Sequence, residues 1–417
     1  MQLNILRDDW ILQRLGDFAI SVKGKKPKNQ SEVQTEVYIY PYVDIQGFEK
    51  NIFDSYTDGQ NCAFCTEDDF LMVWDGSRSG LVGKAVNGAI GSTLVKINLP
   101  KIENRFAYYF LKSKYIELNT NAKGTGTPHV NPDLLWNYSF PIVPLLEQKA
   151  IVAKIEQLFS ELDKGIESLK TAQAKLKIYR QAVLKKAFEG DYKLVEIGDV
   201  CDVFVGATPS RKNINYWDGD IYWVSSGEVK FNTINTTKEK ITEEGLKNTS
   251  TVLHPPQTIL LAMIGEGKTR GQCAILNIHA AHNQNTAALR AKKELLDFRF
   301  LYNFLVYTYE DTRRIGSGNN QKALNKARVS ALTLPLPTIE EQIQIVQEIE
   351  SRLSVCDNIE QTISEALLKA EALRQSILKK AFEGKLLDAK ELEAIKNHPE
   401  YESAEKLLQR IKLERAK

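Results

Sequence analysis

Apolar positions along this chain follow two rhythms. In residues 141–190 and 335–384 they recur in alternating three- and four-residue steps. Ile155, Leu162, Leu169, Leu176 and Val183 stand seven apart, with Ile151, Leu158, Gly165, Ala172 and Tyr179 in the companion position. Ile349, Cys356, Ile363, Ala370 and Ile377 repeat the row, accompanied by Ile345, Arg352, Ile359, Ala366 and Leu373. Such a stripe predicts a helix that packs along its length on another helix. Pro141 and Pro144 suit the first entrance, and no proline follows before Gly190. At 1.5 Å per residue, about 40 residues make a helix of about 60 Å. Lys154, Lys164, Lys170 and Lys177 fall on outer faces. Each stripe is too long and narrow for a globular core, so the mate expected for each helix is the other copy, running antiparallel.

The second rhythm is shorter. Runs such as Val37–Val43, Asp220–Ser226 and Thr258–Ile264 are rich in β-branched and aromatic residues and bounded by turn signals. Aromatic-rich helices are predicted over Arg105–Ile116 and Phe298–Thr312. Residues 1–140 and 191–334 therefore read as two mixed α/β domains, 141–190 and 335–384 as helices, and 385–417 as a helical tail. Tyr401–Lys412 is amphipathic and suits packing on the N-terminal region or on a partner.

The chain is an internal duplication. The two helical segments align at an offset of 194 without a gap, about 20 of 50 positions are identical, and both end in LKKAFEG. Near the N-terminus the offset is 182: Leu15-Gly16-Asp17, Gly24 and Pro27 recur as Ile197-Gly198-Asp199, Gly206 and Pro209. Arg105-Phe106, Tyr108 and Phe110-Leu111 recur at 194 as Arg299-Phe300, Tyr302 and Phe304-Leu305. The second copy thus gains 194 − 182 = 12 residues between Pro209 and Arg299. Matching borders around a divergent middle suggest one scaffold carrying two different variable surfaces.

Composition narrows the class without naming the chemistry. A chain of 417 residues with 26% charged and 43% hydrophobic residues suits two or three soluble domains. Net charge is +2, so any basic surface must be local. No apolar run reaches the length of a membrane span, and Met1–Trp10 lacks a signal peptide's apolar core, so a cytoplasmic address is expected. Five cysteines at irregular spacing do not form a disulfide framework. Cys62-Ala-Phe-Cys65 is a lone CxxC without a second ligand pair, and no metal site is expected.

The candidate chemistry lies in polar loops. In the first half these carry Lys25 and Lys26, Arg78, Lys84, and the run Lys123, Thr125 and His129. In the second they carry Thr208, Ser210, Arg211 and Lys212, then Lys268 and Arg270, then Asn319, Asn320, Gln321 and Lys322. Arg and Lys donate to guanine O6 and N7, and Asn and Gln pair with adenine. Glycine lets backbone N–H groups approach a phosphate. Singly such loops are ordinary turns; their recurrence at matched places is the signal. Ala262–Thr269 fits a relaxed nucleotide-binding loop, but the residues after it read as a strand where such a loop opens a helix, so DNA contact is preferred for Lys268 and Arg270.

Three features together resemble the specificity subunit of type I DNA restriction–modification systems. They are the entries at Pro141–Gln148 and Pro335–Gln342, the exits at Arg180–Gly190 and Arg374–Gly384, and the block Gly206–Trp223. The resemblance implies an α+β fold. Two mixed α/β target-recognition domains stand in pseudo-twofold arrangement, separated by an antiparallel coiled coil of two long conserved helices. It also implies that each domain reads one half of a bipartite site in double-stranded DNA, while the helices set the spacer and dock two methyltransferase subunits. S-adenosylmethionine then belongs to those subunits, and ATP and Mg to the restriction subunits, with no cofactor, no catalytic residue and no membrane contact in this chain. Gly24-Lys25-Lys26-Pro27 departs from the pattern by lacking the threonine and serine of Gly206–Ser210. Two other readings compete: a nucleotide-dependent protein using Lys268, and a coiled-coil adaptor that never touches DNA.

Overall fold

The computed structural model describes residues 7, 9–265, 268–314 and 324–415. The chain divides into two compact units, residues 1–169 with 365–417, and residues 170–364. Each unit holds one globular domain and one half of each long helix, Leu145–Phe188 and Ile339–Phe382.

In the first unit, strand Ile11–Arg14 pairs antiparallel with Ser139–Ile142, joining the two ends of the domain. A four-stranded antiparallel sheet follows, in the order Ile20–Lys23, Leu94–Asn98, Phe70–Val73, Val82–Lys84. A second sheet sets Tyr40–Val43 parallel to Gly88–Ile90. Helix Asn104–Ser113 buries Phe106 and Phe110 against Phe140 of the closing strand and Phe382 of the second long helix, with ring centroids 4.8–5.8 Å apart. Burial of these four aromatic rings is part of the apolar packing that holds domain to helix.

The second unit is built the same way. Leu194–Glu196 pairs with Thr333–Pro335, Cys201–Val205 with Thr286–Ala291, that strand with Ile259–Ala262, and Ile259–Ala262 with Cys273–Leu276. Trp217–Val224 lies parallel to Ala280–His282. Here Phe188 of the first long helix takes the place of Phe382, meeting Phe300 and Phe304 at 5.2 and 5.4 Å. Strand registers locate eight of the extra residues. Val43↔Ile90 answers Val224↔His282, an offset of 224 − 43 = 181 on the first strand. Val73↔Leu94 answers Ala262↔Thr286, an offset of 262 − 73 = 189. Eight extra residues therefore lie between Val224 and Ala262, around strands Asn232–Ile234 and Glu239–Ile241.

Two sequence expectations are refined. The helices predicted over Arg105–Ile116 and Phe298–Thr312 each break once, at Lys114 and at Thr308. Next to the first break the Ser113 hydroxyl donates to the Phe110 carbonyl, and at the second the Thr308 hydroxyl donates to Phe304, so side chains compete for the helix's own acceptors. On the long helices, Ile155, Leu162, Leu169, Leu176 and Val183, and Ile349, Ile363 and Ile377, are buried or half-buried. The companion row holds at Ile151, Leu158, Ile345 and Ala366, which are buried or half-buried, and is shifted by one residue elsewhere. Phe159, Ile166, Gln173 and Arg180 turn inward, whereas Gly165 and Ala172 are exposed and Tyr179 is 44% exposed. Likewise Ile359 and Leu373 are 44% and 49% exposed, while Arg374 is half-buried. Ion pairs accompany the two half-buried arginines. Within the first unit Arg374 pairs with Asp163 and lies over the Phe159 ring; within the second, Arg180 pairs with Asp357 and, at 3.1 Å, Glu360. Arginine buries its stem in the seam and carries its charge across it.

The tail forms two helices, Ala389–Lys396 and Ala404–Arg415. It completes the first domain's core with Ala404, Leu407 and Ile411. Lys396 reaches Asp9 at 3.1 Å, and Glu391 reaches Lys154 at 3.0 Å. Of the two expected docking places, the tail takes the N-terminal region. Among the described residues no helix is long and apolar enough to cross a membrane.

Candidate nucleic-acid interface

In the second domain the chain leaves strand Cys201–Val205 at Gly206 and turns sharply. A Cβ at Gly206 would lie 2.1 Å from the His282 carbonyl oxygen and 2.5 Å from that of Asn283, so only glycine fits. The Ala207 N–H donates to the His282 carbonyl at 3.0 Å, and Trp223 Nε1 donates to the Ala207 carbonyl at 3.1 Å. Trp217 Nε1 donates to Ser210 at 3.2 Å. Two indoles thus hold the backbone that carries Thr208, Ser210, Arg211 and Lys212, of which the last three are exposed. The Arg211 guanidinium stacks 3.7 Å from the Trp217 ring centroid and pairs with both oxygens of Glu239. Glu239 engages Nη1 and Nη2, leaving the Nε edge for a planar acceptor pair such as guanine O6 and N7. The pair raises the arginine pKa and lowers that of Glu239, chiefly through the side-chain hydrogen bond.

Behind this turn lies a polar core that sequence reasoning missed. His254 and His282 are both buried, with Nε2 atoms 3.2 Å apart. Arg290 Nε meets His254 Nδ1 at 3.0 Å, and His282 Nδ1 meets Thr286 Oγ1 at 2.7 Å. Burial, with the neighbouring His282 and Arg290, pushes His254 down to about 3, and burial pushes His282 down to about 4. Both are therefore neutral near pH 7. The Asn283–Asn285 turn beyond them exposes Gln284, which accepts from the Thr208 hydroxyl. Glu239, His254 and Gln284 were absent from the sequence candidates. Aligning His282–Thr286 with Ile90–Leu94 puts His282 and Thr286 where the first copy has Ile90 and Leu94, a signal for the polar core that points to neither His254 nor Gln284.

The Met263 N–H donates to the Asn285 carbonyl at 2.9 Å, so the hairpin turn holding Lys268 and Arg270 adjoins the Gln284 turn. Antiparallel strands Ile259–Ala262 and Cys273–Leu276 flank that turn. A nucleotide-binding loop opens a helix instead, which removes the structural context for the Lys268 nucleotide reading. The Tyr309 hydroxyl donates to the Lys268 carbonyl at 2.6 Å. Asn319, Asn320, Gln321 and Lys322 lie outside the described residues.

In the first domain Gly24 makes the same close approach, its Cβ position 2.2 Å from the carbonyls of Ile90 and Gly91. Lys25 and Lys26 follow it, exposed. Lys23 pairs with Asp75 at 2.9 Å, and bridges join Asp75 and Lys123 to His129. The turns carrying Arg78, Lys123, Thr125 and His129 are thereby gathered on one edge. Arg78 pairs with Glu49 and Lys123 with Asp133, so part of that charge is already met. Lys84 stands apart: it pairs with Phe70, at the far end of the strand from the Asp75–Arg78 turn. Cys65 is buried and donates to Val86 at 3.1 Å, and burial pushes its thiol up to about 11, away from thiolate chemistry.

A family profile described as "Type I restriction modification DNA specificity domain" matches twice, over residues 7–171 and 189–369. The type I restriction enzyme MjaVIII specificity subunit of Methanocaldococcus jannaschii is 26% identical over 411 residues, spanning 91% of this chain and 93% of that protein. The EcoBI specificity subunit of Escherichia coli is 24% identical, spanning 99% and 93%. Among solved structures, a chain from work on assembly and conformational transition of the type I R-M system covers 91% of this chain and 99% of its own, with a TM-score of 0.75 at 20% identity. The HsdS subunit from Thermoanaerobacter tengcongensis covers 91% and 98%, with a TM-score of 0.59 at 19% identity. These two likenesses speak for the fold.

Proposed function

The chain belongs to the type I restriction–modification DNA specificity family, a specificity subunit with two target-recognition domains, and on that premise we propose how it works. Each recognition domain reads one half of a bipartite site in double-stranded DNA. The two 44-residue helices, each about 66 Å long at 1.5 Å per residue, set the unread spacer and dock two methyltransferase subunits. Specificity subunits are non-catalytic. The methyl donor S-adenosylmethionine sits in the methyltransferase subunits; ATP and Mg serve the restriction subunits where these join. Work on such a complex is done in the cytoplasm, where host DNA lies.

One observation carries this reading: two domains share their strand registers but differ in the turns at one edge. Gly24 and Gly206 each bring a loop against the next strand's carbonyls, yet lysines follow the first and Thr208–Lys212 the second. A common frame with unlike edges is what two different half-sites require. A purely structural adaptor has no use for that divergence.

Methylome mapping of cells with and without the chain tests the reading. The expected result is a methylated motif with two halves and a fixed gap, absent without the chain. Replacing residues 191–334 by another recognition domain should change one half only. Deleting one heptad from a long helix should change the gap or abolish assembly, because one base pair moves a half-site by about 3.4 Å and turns it by about 34–36°. An unaltered gap in an assembled complex would refute the spacer role.

A further inference from the structure

We propose that Gln284, braced by Thr208 and by the buried His254–His282 pair, reads a base edge in the half-site addressed by the second domain. The proposal rests on the DNA-recognition reading above and names a residue for it.

The hydrogen bonds behind Gln284 have one possible direction. A guanidinium only donates, so His254 Nδ1 accepts from Arg290 Nε at 3.0 Å and His254 carries its proton on Nε2. That proton is given to His282 Nε2 at 3.2 Å, which places the proton of His282 on Nδ1. His282 Nδ1 donates to Thr286 Oγ1 at 2.7 Å, and the Thr286 hydroxyl donates to the Asn283 carbonyl at 3.0 Å. The residue before Gln284 is thus the end of a chain that starts at Arg290. The His282 carbonyl also receives the Ala207 N–H and the Thr251 hydroxyl, each at 3.0 Å, which ties the Thr208 turn to the same imidazole's backbone.

Two turns are thereby fixed side by side, and Thr208 donates its hydroxyl to Gln284 Oε1. This orients the amide. Its Nε2 keeps two N–H donors on an exposed side chain, and Thr208 Oγ1 keeps lone pairs beside them. Such a donor matches N7 or O6 of guanine, or N7 of adenine, in the major groove.

The fold does not need this polar chain. In the first domain the same turn is Ile90-Gly91-Ser92-Thr93-Leu94, where Ile90 and Leu94, both fully buried, stand at the places of His282 and Thr286. The backbone bond is nonetheless the same: Gly91 N–H donates to Val43 at 2.9 Å, and Asn283 N–H to Val224 at 3.0 Å. Apolar residues build the turn equally well, so the buried histidines serve something other than its backbone path. A fully satisfied polar network restricts side chains to one arrangement more tightly than apolar packing does. Here the network ends on the carbonyls of His282 and Asn283, the backbone of the two turns that carry Thr208 and Gln284.

The test uses the full chain assembled with its methyltransferase subunits and a duplex library randomised over both half-sites. Gln284→Ala is a surface change and should leave the domain folded. It should cut the preference at one base pair of one half by about tenfold, the discrimination a good base contact supplies. The other half and the gap should be unchanged. Thr208→Val should weaken the same base pair. The double variant His254→Leu/His282→Ile should flatten that position while neighbouring positions and the thermal midpoint hold, a pattern that general loosening would not produce. If Gln284→Ala leaves every position unchanged, the proposal is wrong although DNA reading stands. If the double variant loses the whole half-site with a lowered midpoint, the histidines are only structural and the bracing is wrong. A wild-type complex that selects no motif overturns DNA reading itself.

Discussion

Gln342 accepts the backbone N–H of Asp297 at 2.8 Å, and Gln148 accepts that of Glu103, also at 2.8 Å. Both glutamines are fully buried in the first turn of a long helix. Each spends its amide nitrogen on the chain just before its helix, Gln148 on Val143 at 2.7 Å and Gln342 on Pro337 at 3.0 Å. One side chain thus ties a strut to the domain it carries, twice in one molecule.

Gln148→Ala and Gln342→Ala should each destabilise the unit that holds the residue by about 2–3 kcal/mol, because a buried N–H and a buried carbonyl lose partners together. Chemical unfolding resolved by unit checks this. A loss below about 0.5 kcal/mol would mean that water replaces the amide.

The seam arginines should matter less to stability than their position suggests. Arg180 is paired with Asp357, but Asp357 is 70% exposed. A double-mutant cycle on Arg180→Ala and Asp357→Ala should return a coupling of about 0.2–1 kcal/mol that shrinks in salt. A coupling of several kcal/mol would show that the pair is shielded from solvent.

Gly206→Ala should cost about 1–3 kcal/mol or more, since the new Cβ would sit 2.1 Å from a carbonyl oxygen that cannot retreat without breaking the turn. Gly24→Ala should do the same in the first domain. Gly126→Ala, with nothing within 4 Å of its Cβ position, is the matched control and should be near neutral. Thermal unfolding of the three variants makes the comparison.

Acid should loosen the second unit through the imidazole pair. His254 and His282 are pushed down to about 3 and about 4, whereas an unfolded histidine titrates near 6.5. Below about pH 6.5 the unfolded chain takes up protons that the folded chain refuses. Stability is therefore full above that pH and falls as pH drops toward 4, by up to about 1.4 kcal/mol per pH unit for each histidine. Denaturant midpoints between pH 8 and 4.5 measure the slope. His254→Leu/His282→Ile should flatten it; an equal slope in the variant would place the effect elsewhere.

Repetition and periodicity determined a great deal without any coordinates. The offset between copies, the proline entrances and the seven-residue stripe state that two α/β domains alternate with two long helices, because these are local properties of the chain. The row Ile155–Val183 was legible for that reason. Its companion row was legible only in part: moving it by one residue keeps the same three- and four-residue steps, and the burial of Phe159 and the placing of Arg180 and Arg374 beside their acids are tertiary facts. The basic and polar loops could be named from residue type, but their grouping depended on strand register, which set Lys84 apart from Arg78 and put Gln284 beside Thr208. His254 lies 28 residues before His282, and no local rule predicts that two imidazoles will meet in a core. Local pattern writes the elements; long-range pairing of buried polar groups decides which side chains share an edge, because the cost of leaving such a group unpartnered is met only when the whole domain closes.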